Sequence, residues 1–180
     1  MKKTSKKALI LTWEGYKDYE AIYPYYRLLE EGFEVDVASN TLGKVFGILG
    51  GSIPSTILLD NLNTNQVLST YDLLIIPGGV VSLEKLRLHP IAVQLTKSWC
   101  DQNKVLGSIC SGAQLLITAK VTNNRKISAY YSMEQDVINS GAEFVDLPAV
   151  VDNNIITSPH YKWVGHWMKA VLQTLKQHTS

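Results

Sequence analysis

The sequence predicts an α/β fold, a three-layer sandwich in which a mostly parallel sheet carries helices on both faces. Short apolar runs alternate along the chain with segments of helical periodicity, and this alternation is typical of parallel sheets. The runs are nearly continuous, as expected for strands buried on both faces. A chain of 180 residues without an evident linker or repeat suits one domain, 1–180, with a single sizeable core.

Four strands, four helices and two hairpins are predicted from local patterns. Apolar runs predict strands at 7–12, 33–38, 71–76 and 105–109. Helical periodicity predicts helices at 19–31, 83–102, 133–140 and about 162–177, and Gly32 and Gly141 end the first and third of them. The hairpins are predicted within 43–51 and over 150–156, the second with its turn at 152–154.

Composition excludes several classes of function. The formal net charge is +1 and 18% of the residues are charged, so nothing favours binding to nucleic acid or to an anionic membrane. The first apolar run covers only 8–11, too short for a signal-peptide core, and no run approaches the length of a membrane span. Two cysteines are too few for a disulfide framework, which indicates a reducing, cytoplasmic location. The expected partner is a small-molecule substrate.

The most informative stretch is 105–116, where an apolar run ends at Cys110 and a helix start follows at once. This pattern predicts a strand, a sharp corner and a helix whose free N–H groups point at the sulfur. A helix N-terminus favours negative charge, so we expect the pKa of the Cys110 thiol to lie well below its free value of about 8.5. The α/β-hydrolases place a nucleophilic serine on such an elbow. A buried structural cysteine is the alternative interpretation.

Other candidate sites are weaker. Cys100 lies within a helical pattern and is interpreted as a packed hydrophobic residue. The glycines of 43–51 are not followed by a helix that begins with the Lys-Ser/Thr of a phosphate loop. No two Cys or His residues have the spacing of metal ligands, so neither a metal nor a cofactor is predicted.

Several segments together carry a resemblance to a known family. They are 11–28, Val37-Ala-Ser39, 43–47, Pro77-Gly78-Gly79, 138–143 and the Cys110 elbow. In this order and spacing they resemble the PfpI/ThiJ superfamily over nearly the whole chain. The resemblance implies a flavodoxin-like, glutamine amidotransferase-like fold with its site close to a subunit boundary.

The resemblance also implies roles for individual residues. Cys110 matches the elbow nucleophile, and Glu20 matches a carboxylic acid that donates a hydrogen bond to that sulfur. The backbone N–H groups of Gly79 and Ser111 match an oxyanion hole over the reacting carbon. Further candidates for lining the substrate site are Gly78, Trp13, Tyr130, Tyr131 and Tyr161.

Two departures from the family pattern limit the implied function. Ser111 stands where the peptidase members have a histidine base, so peptidase activity is not expected. Glu84 matches a glutamate that such members contribute to a neighbouring subunit, and without that histidine we expect an ordinary surface residue. His160, after the last core strand, is the candidate to replace the missing base, and a purely structural role is the alternative. His89 and His178 are expected at the surface.

Two functions remain open on the sequence alone. The first is a small cysteine-dependent enzyme of the hydrolase, hydratase, deglycase or glyoxalase type, in which Cys110 attacks an electrophilic carbonyl and Glu20 moves the proton. The second is a non-enzymatic redox or stress sensor that acts through oxidation of Cys110. A homodimer or higher homo-oligomer is expected in either case, most simply a two-fold dimer, with contacts from the tyrosine-rich face at 23–26 and from 84–88. Packing within the monomer is the alternative for both surfaces.

Overall fold

A seven-stranded sheet forms the centre of the computed structural model, which describes residues 6–178. Residues 1–5 and 179–180, at the ends of the predicted domain, lie outside the described residues. The strands are β1 (Lys7–Leu11), β2 (Glu34–Ser39), β3 (Gly43–Phe46), β4 (Ser52–Ser55), β5 (Ile57–Leu58), β6 (Leu73–Ile76), β7 (Leu106–Ile109), β8 (Lys126–Ile127), β9 (Glu143–Phe144), β10 (Val150–Asp152) and β11 (Ile155–Ser158). The helices are α1 (Asp18–Glu30), α2 (Thr64–Thr70), α3 (Val80–Leu86), α4 (Pro90–Asp101), α5 (Ala113–Thr118), α6 (Glu134–Asn139) and α7 (Val164–His178).

The strand order in the sheet is β10-β11-β7-β6-β1-β2-β5. Neighbouring strands pair in parallel, except that β10 and β11 form an antiparallel hairpin at one edge. A separate antiparallel hairpin joins β3 to β4, with Gly43 opposite Ser55. The mostly parallel sheet and both predicted hairpins are confirmed.

The core lies in two layers, because successive side chains of a strand point to opposite faces of the sheet. In β1, Leu9 and Leu11 join a cluster that contains Trp99 of α4, whereas Ile10 joins a second cluster that contains Trp167 of α7. The predicted cover of helices on both faces is therefore confirmed. Within residues 6–178, none of the helices is both long and apolar enough to cross a membrane.

The prediction of one helix over 83–102 is wrong. The structure has two helices there, and 87–89 separates them. Pro90 occupies the first turn of α4, and His89 before it is extended, with φ −83° and ψ 115°. A proline disfavours helical backbone in the residue that precedes it, which explains the break. The apolar periodicity continues across this break and therefore does not indicate it.

Local sequence patterns also miss α2 and a small parallel pair formed by β8 and β9. The start signal of α2 is Asn63, whose side chain accepts a hydrogen bond from the Gln66 N–H, but the helix is only seven residues long. Strands of two residues, such as β8 and β9, are too short to show any periodicity.

Four adjacent parallel strands, β11, β7, β6 and β1, end at the same edge of the sheet. In open α/β sheets this carboxyl edge is where ligands bind. The segments that follow these strands bring together His160, Cys110, Gly78 and Glu20.

Candidate active site

Cys110 lies at a sharp corner between β7 and α5. Its φ is +59°, in the left-handed region that costs a non-glycine residue about 1–3 kcal/mol. A short 3-10 turn at Cys110–Gly112 then leads into α5. A Cβ at Gly112 would lie 2.8 Å from the Ile76 carbonyl oxygen, so glycine is needed for this close approach to β6. The strand, corner and helix expected around Cys110 are all present.

Glu20 is fully buried on the first turn of α1. Its Oε2 accepts a hydrogen bond of 3.0 Å from the Gly78 N–H. Its other oxygen, Oε1, is buried and has no hydrogen-bond partner among the described residues. Burial raises the pKa of Glu20 to about 7, although Cys110, the Gly78 N–H and Lys17 each favour the charged form. Near neutrality this carboxyl group is therefore poised to hold or release a proton.

The Cys110 thiol lies beside the Glu20 carboxyl group, and each group shifts the pKa of the other. Burial, followed by the negative charge of ionised Glu20, raises the pKa of Cys110 to about 12. The expectation of a lowered thiol pKa is therefore wrong. The hydrogen bonds from Ser111 lower the pKa, but they do not outweigh burial and the charge of Glu20.

Because the ionisation of each group changes the pKa of the other, the two proton losses are properties of the pair and not of one residue alone. The pair loses its first proton near the pKa of Glu20, about 7, and keeps the second over the rest of the physiological range. The remaining proton can lie on the carboxylate or on the sulfur. The form with neutral Glu20 and a Cys110 thiolate is the nucleophilic one.

Ser111 occupies the position where a histidine was expected for a peptidase. Its Oγ accepts a hydrogen bond of 2.8 Å from the Gly79 N–H, and both its backbone N–H and its hydroxyl favour the Cys110 thiolate. The Gly79 N–H is therefore engaged by the Ser111 hydroxyl in this structure.

Gly78 allows the pair to approach. A Cβ at this position would overlap Glu20 Oε2 and would lie 2.8 Å from the Cβ of Cys110. Its carbonyl oxygen accepts a hydrogen bond of 3.0 Å from the Lys17 N–H, which ties the start of α1 to the end of β6. Gly78 therefore acts through backbone contacts that hold Glu20 beside the sulfur.

A cavity of about 290 Å³ opens above this pair. Every predicted site residue lines it except Gly78, Trp13 and Tyr131, and it is also lined by residues that local patterns did not indicate. The residues that line it are Lys17, Glu20, Ile48, Gly79, Val80, Val81, Cys110, Ser111, Tyr130, His160 and Tyr161. The position of Lys17, three residues before Glu20 at the start of the same helix, is the sequence signal that identifies it.

His160 lies in an aromatic group at the mouth of the cavity. Its ring stacks 6.1 Å from Tyr130 and 6.3 Å from Tyr131, and lies 4.1 Å from Tyr161. Its Nδ1 accepts a hydrogen bond from the Lys162 N–H, which favours the neutral tautomer with a proton on Nε2. Within residues 6–178, no hydrogen bond joins His160 to Cys110 or to Glu20. The ring is better suited to donate than to act as a base.

The β3–β4 hairpin forms another wall of the cavity through Ile48. Asp18, only 4% exposed, holds its turn. One carboxylate oxygen of Asp18 accepts a hydrogen bond of 2.8 Å from the Leu49 N–H, and the other accepts one of 2.7 Å from the Gly51 N–H. The position of Ile48 therefore depends on a buried carboxylate at the start of α1.

Some sequence predictions fall outside this site. Trp13 does not line the cavity but packs against the core and lies 6.1 Å from the ring of His89. His89 is partly buried rather than a surface residue, because its Nε2 bonds Asp60 at 2.8 Å. Cys100 is 8% exposed and packs in the core, as expected. Glu84 is exposed on α3.

In the described part of the chain, no group of three or more Cys, His, Asp or Glu side chains is arranged to hold a metal.

Comparison with known proteins identifies the family. The model of the DJ-1/PfpI family matches residues 6–174. Deglycase PfpI of Pyrococcus furiosus is 36% identical over 170 residues, which cover 94% of this chain and 99% of that protein. Relatives that carry the name deglycase support an enzyme of the DJ-1/PfpI type.

Solved structures agree with this result. A two-domain protein of Anabaena variabilis, with a DJ-1/ThiJ/PfpI-like and a ferritin-like domain, superposes with a TM-score of 0.88 at 29% identity. The match covers 96% of this chain and 48% of that one, so the chain spans about half the length of this relative. DJ-1beta of Drosophila melanogaster has the same fold, with a TM-score of 0.83 at 23% identity over 97% of this chain and 95% of its own. The chain belongs to the DJ-1/PfpI family.

Proposed function

We propose that the protein is a cysteine-dependent enzyme that acts on the electrophilic carbonyl group of a small molecule, in a reaction of the deglycase or glyoxalase type. The observation that carries this proposal is the coupled Glu20–Cys110 pair, which opens onto a cavity and has a proton to exchange near pH 7. The names of the deglycase relatives support the reaction class.

The first chemical step follows from the pair. In the form with neutral Glu20, the Cys110 thiolate adds to the carbonyl carbon and a C–S bond forms. The electron pair of the C=O π bond moves to oxygen, which takes the proton from Glu20. The product is a hemithioacetal beside an ionised carboxylate, which is the general base for the next proton transfer.

The surroundings give each neighbour a part in this step. The Ser111 N–H is the donor to the developing oxyanion, and the Gly79 N–H joins it when the Ser111 hydroxyl turns. The neutral His160 ring and Tyr130 bound the space in which the substrate lies. Ser111 has no titratable ring to serve as the base of a peptidase, which argues against amide cleavage.

Oxidation sensing by Cys110 is the competing function, and it needs the same thiolate as attack on a carbonyl. Susceptibility to oxidation follows thiolate character. Burial raises the pKa of this thiol, which disfavours oxidation and attack on a carbonyl alike, so it is the deglycase names of the relatives that favour the enzyme.

Turnover of methylglyoxal, together with the intact mass of the protein, tests the proposal. We expect turnover with a transient adduct on Cys110, complete loss of both in Cys110→Ala, and no change in Cys100→Ser, whose thiol lies in the core. Turnover that survives in Cys110→Ala would refute the cysteine mechanism. A stable increase in mass after peroxide treatment, with no turnover of any carbonyl compound, would favour the sensor.

A further inference from the structure

Lys17 brings a positive charge into the cavity that holds Cys110. It is the only lysine or arginine among the described residues that line this cavity. The other walls are largely apolar, being formed by Ile48, Val80, Val81 and the tyrosines. An ammonium group in such surroundings interacts more strongly with an anion than it would in bulk water.

The backbone fixes the place of Lys17. Its N–H donates to the Gly78 carbonyl oxygen at 3.0 Å, and its own carbonyl oxygen accepts the Glu20 N–H at 2.9 Å. Lys17 is thus tied to the same two residues that set the reacting pair. The side chain is partly buried, and its Nζ lies 5.2 Å from the centre of the Tyr161 ring.

The charge of Lys17 is not committed to an ion pair. Among residues 6–178, no carboxylate oxygen lies within 4.0 Å of its Nζ. Glu20, the acid in the cavity, feels Lys17 at longer range. The contact with the Tyr161 ring is a cation–π interaction, which does not neutralise the charge of the ammonium group.

The electrostatic potential at the mouth of the cavity is also positive. Lys162 contributes to it, with its Nζ 5.7 Å from the centre of the Tyr131 ring, which stacks on His160. Burial, Lys162 and Lys17 together lower the pKa of His160, so the imidazole is neutral near pH 7 and adds no further charge. An anion that enters this space meets the ammonium group of Lys17.

We propose that Lys17 binds a carboxylate carried by the substrate, so that the site takes small electrophiles with one carboxylate in preference to neutral ones of the same size. This inference rests on the proposed function for the identity of the reacting carbon. It goes further in naming a charged group that the substrate carries and the residue that recognises it.

Iodoacetate and iodoacetamide provide a matched pair of probes. Both alkylate a thiolate by forming an S–CH2 bond and releasing iodide, and they differ in a carboxylate against a neutral amide. The rate of each is measured on Cys110 in a Cys100→Ser background, and their ratio is divided by the same ratio for N-acetylcysteine. A change in the thiolate fraction affects both rates equally and leaves the ratio unchanged.

We expect this normalised ratio to fall by about fivefold in Lys17→Gln, as for the loss of one partly desolvated ion pair. Lys17→Arg should keep most of it. Lys162→Gln is the comparison variant: Lys162 lies near the mouth but does not line the cavity, so its ratio should fall much less than that of Lys17→Gln. An unchanged ratio in Lys17→Gln, or an equal fall in Lys162→Gln, would overturn the inference. Alkylation needs no turnover, so a failure of the proposed function is seen separately, as an absence of carbonyl turnover.

Discussion

Replacing Glu20 with glutamine should change how the stability of the protein depends on pH. Glutamine keeps an oxygen to accept the Gly78 N–H but cannot ionise. In the unfolded chain Glu20 ionises near its ordinary pKa of 4.5, whereas in the folded protein burial raises that pKa to about 7. The folded state therefore holds a proton that the unfolded state has lost between these two values.

The magnitude follows from this difference in pKa. Each tenfold change in an ionisation equilibrium is worth about 1.4 kcal/mol, so a rise from 4.5 to about 7 corresponds to about 3 kcal/mol. The stabilisation that neutral Glu20 provides, relative to its charged form, is complete below pH 4.5. It is lost as the pH rises to about 7 and does not change further above that value.

Denaturant unfolding at pH 4.5 and pH 8 measures the effect. The free energy of unfolding of Glu20→Gln, minus that of the parent, should rise by about 3 kcal/mol between these conditions. The exposed Glu84→Gln is the matched control and should follow the parent at both values, within about 0.5 kcal/mol. A constant difference between Glu20→Gln and the parent would refute the raised pKa, whatever the sign of that difference.

Four further predictions follow from the site. The alkylation rate of Cys110 should rise as the pH passes about 7, and this step should be absent in Glu20→Gln, because it belongs to the first proton of the pair. Ser111→Ala should slow the same alkylation by about tenfold, since a donor to the thiolate is lost; an equal rate would remove Ser111 from the site. Gly78→Ala should lower the free energy of unfolding by about 2 kcal/mol, measured in urea, because its Cβ meets Glu20 and Cys110; Gly165→Ala, with only a 3.8 Å contact, is the control. Light scattering should give twice the chain mass of 20.0 kDa, and a monomer would contradict the expected dimer.

The parts of the fold that could be predicted are those with strong periodicity. Near-continuous apolar runs identify β1, β6 and β7, and glycines with φ of +83° end α1 and α6 where the sequence places their limits. The break before Pro90 has a clear local signal, but the apolar pattern on either side conceals it. The two-residue strands carry no signal of their own and are defined by their partners in space.

The site divides in a similar way. The Cys110 elbow is visible in local sequence, whereas the contact of Glu20 with the sulfur depends on residues 90 positions apart and came from a resemblance to a family. The direction in which the pKa of Cys110 shifts could not be predicted from the helix start alone. It depends on burial and on the charge of Glu20, which are properties of the packed structure.

Because of the hairpin held by Asp18, one wall of the cavity is formed by a different part of the fold from the Glu20–Cys110 pair. Cys110 follows β7 of the central sheet and Glu20 lies on the first turn of α1, but the wall that Ile48 provides comes from the β3–β4 hairpin, which lies outside that sheet. Substitutions at the tip of this hairpin change the shape presented to a substrate and leave Glu20 and Cys110 in place. We therefore expect changes in this short segment to alter which molecules the cavity accepts, provided that the Asp18 carboxylate continues to hold its turn.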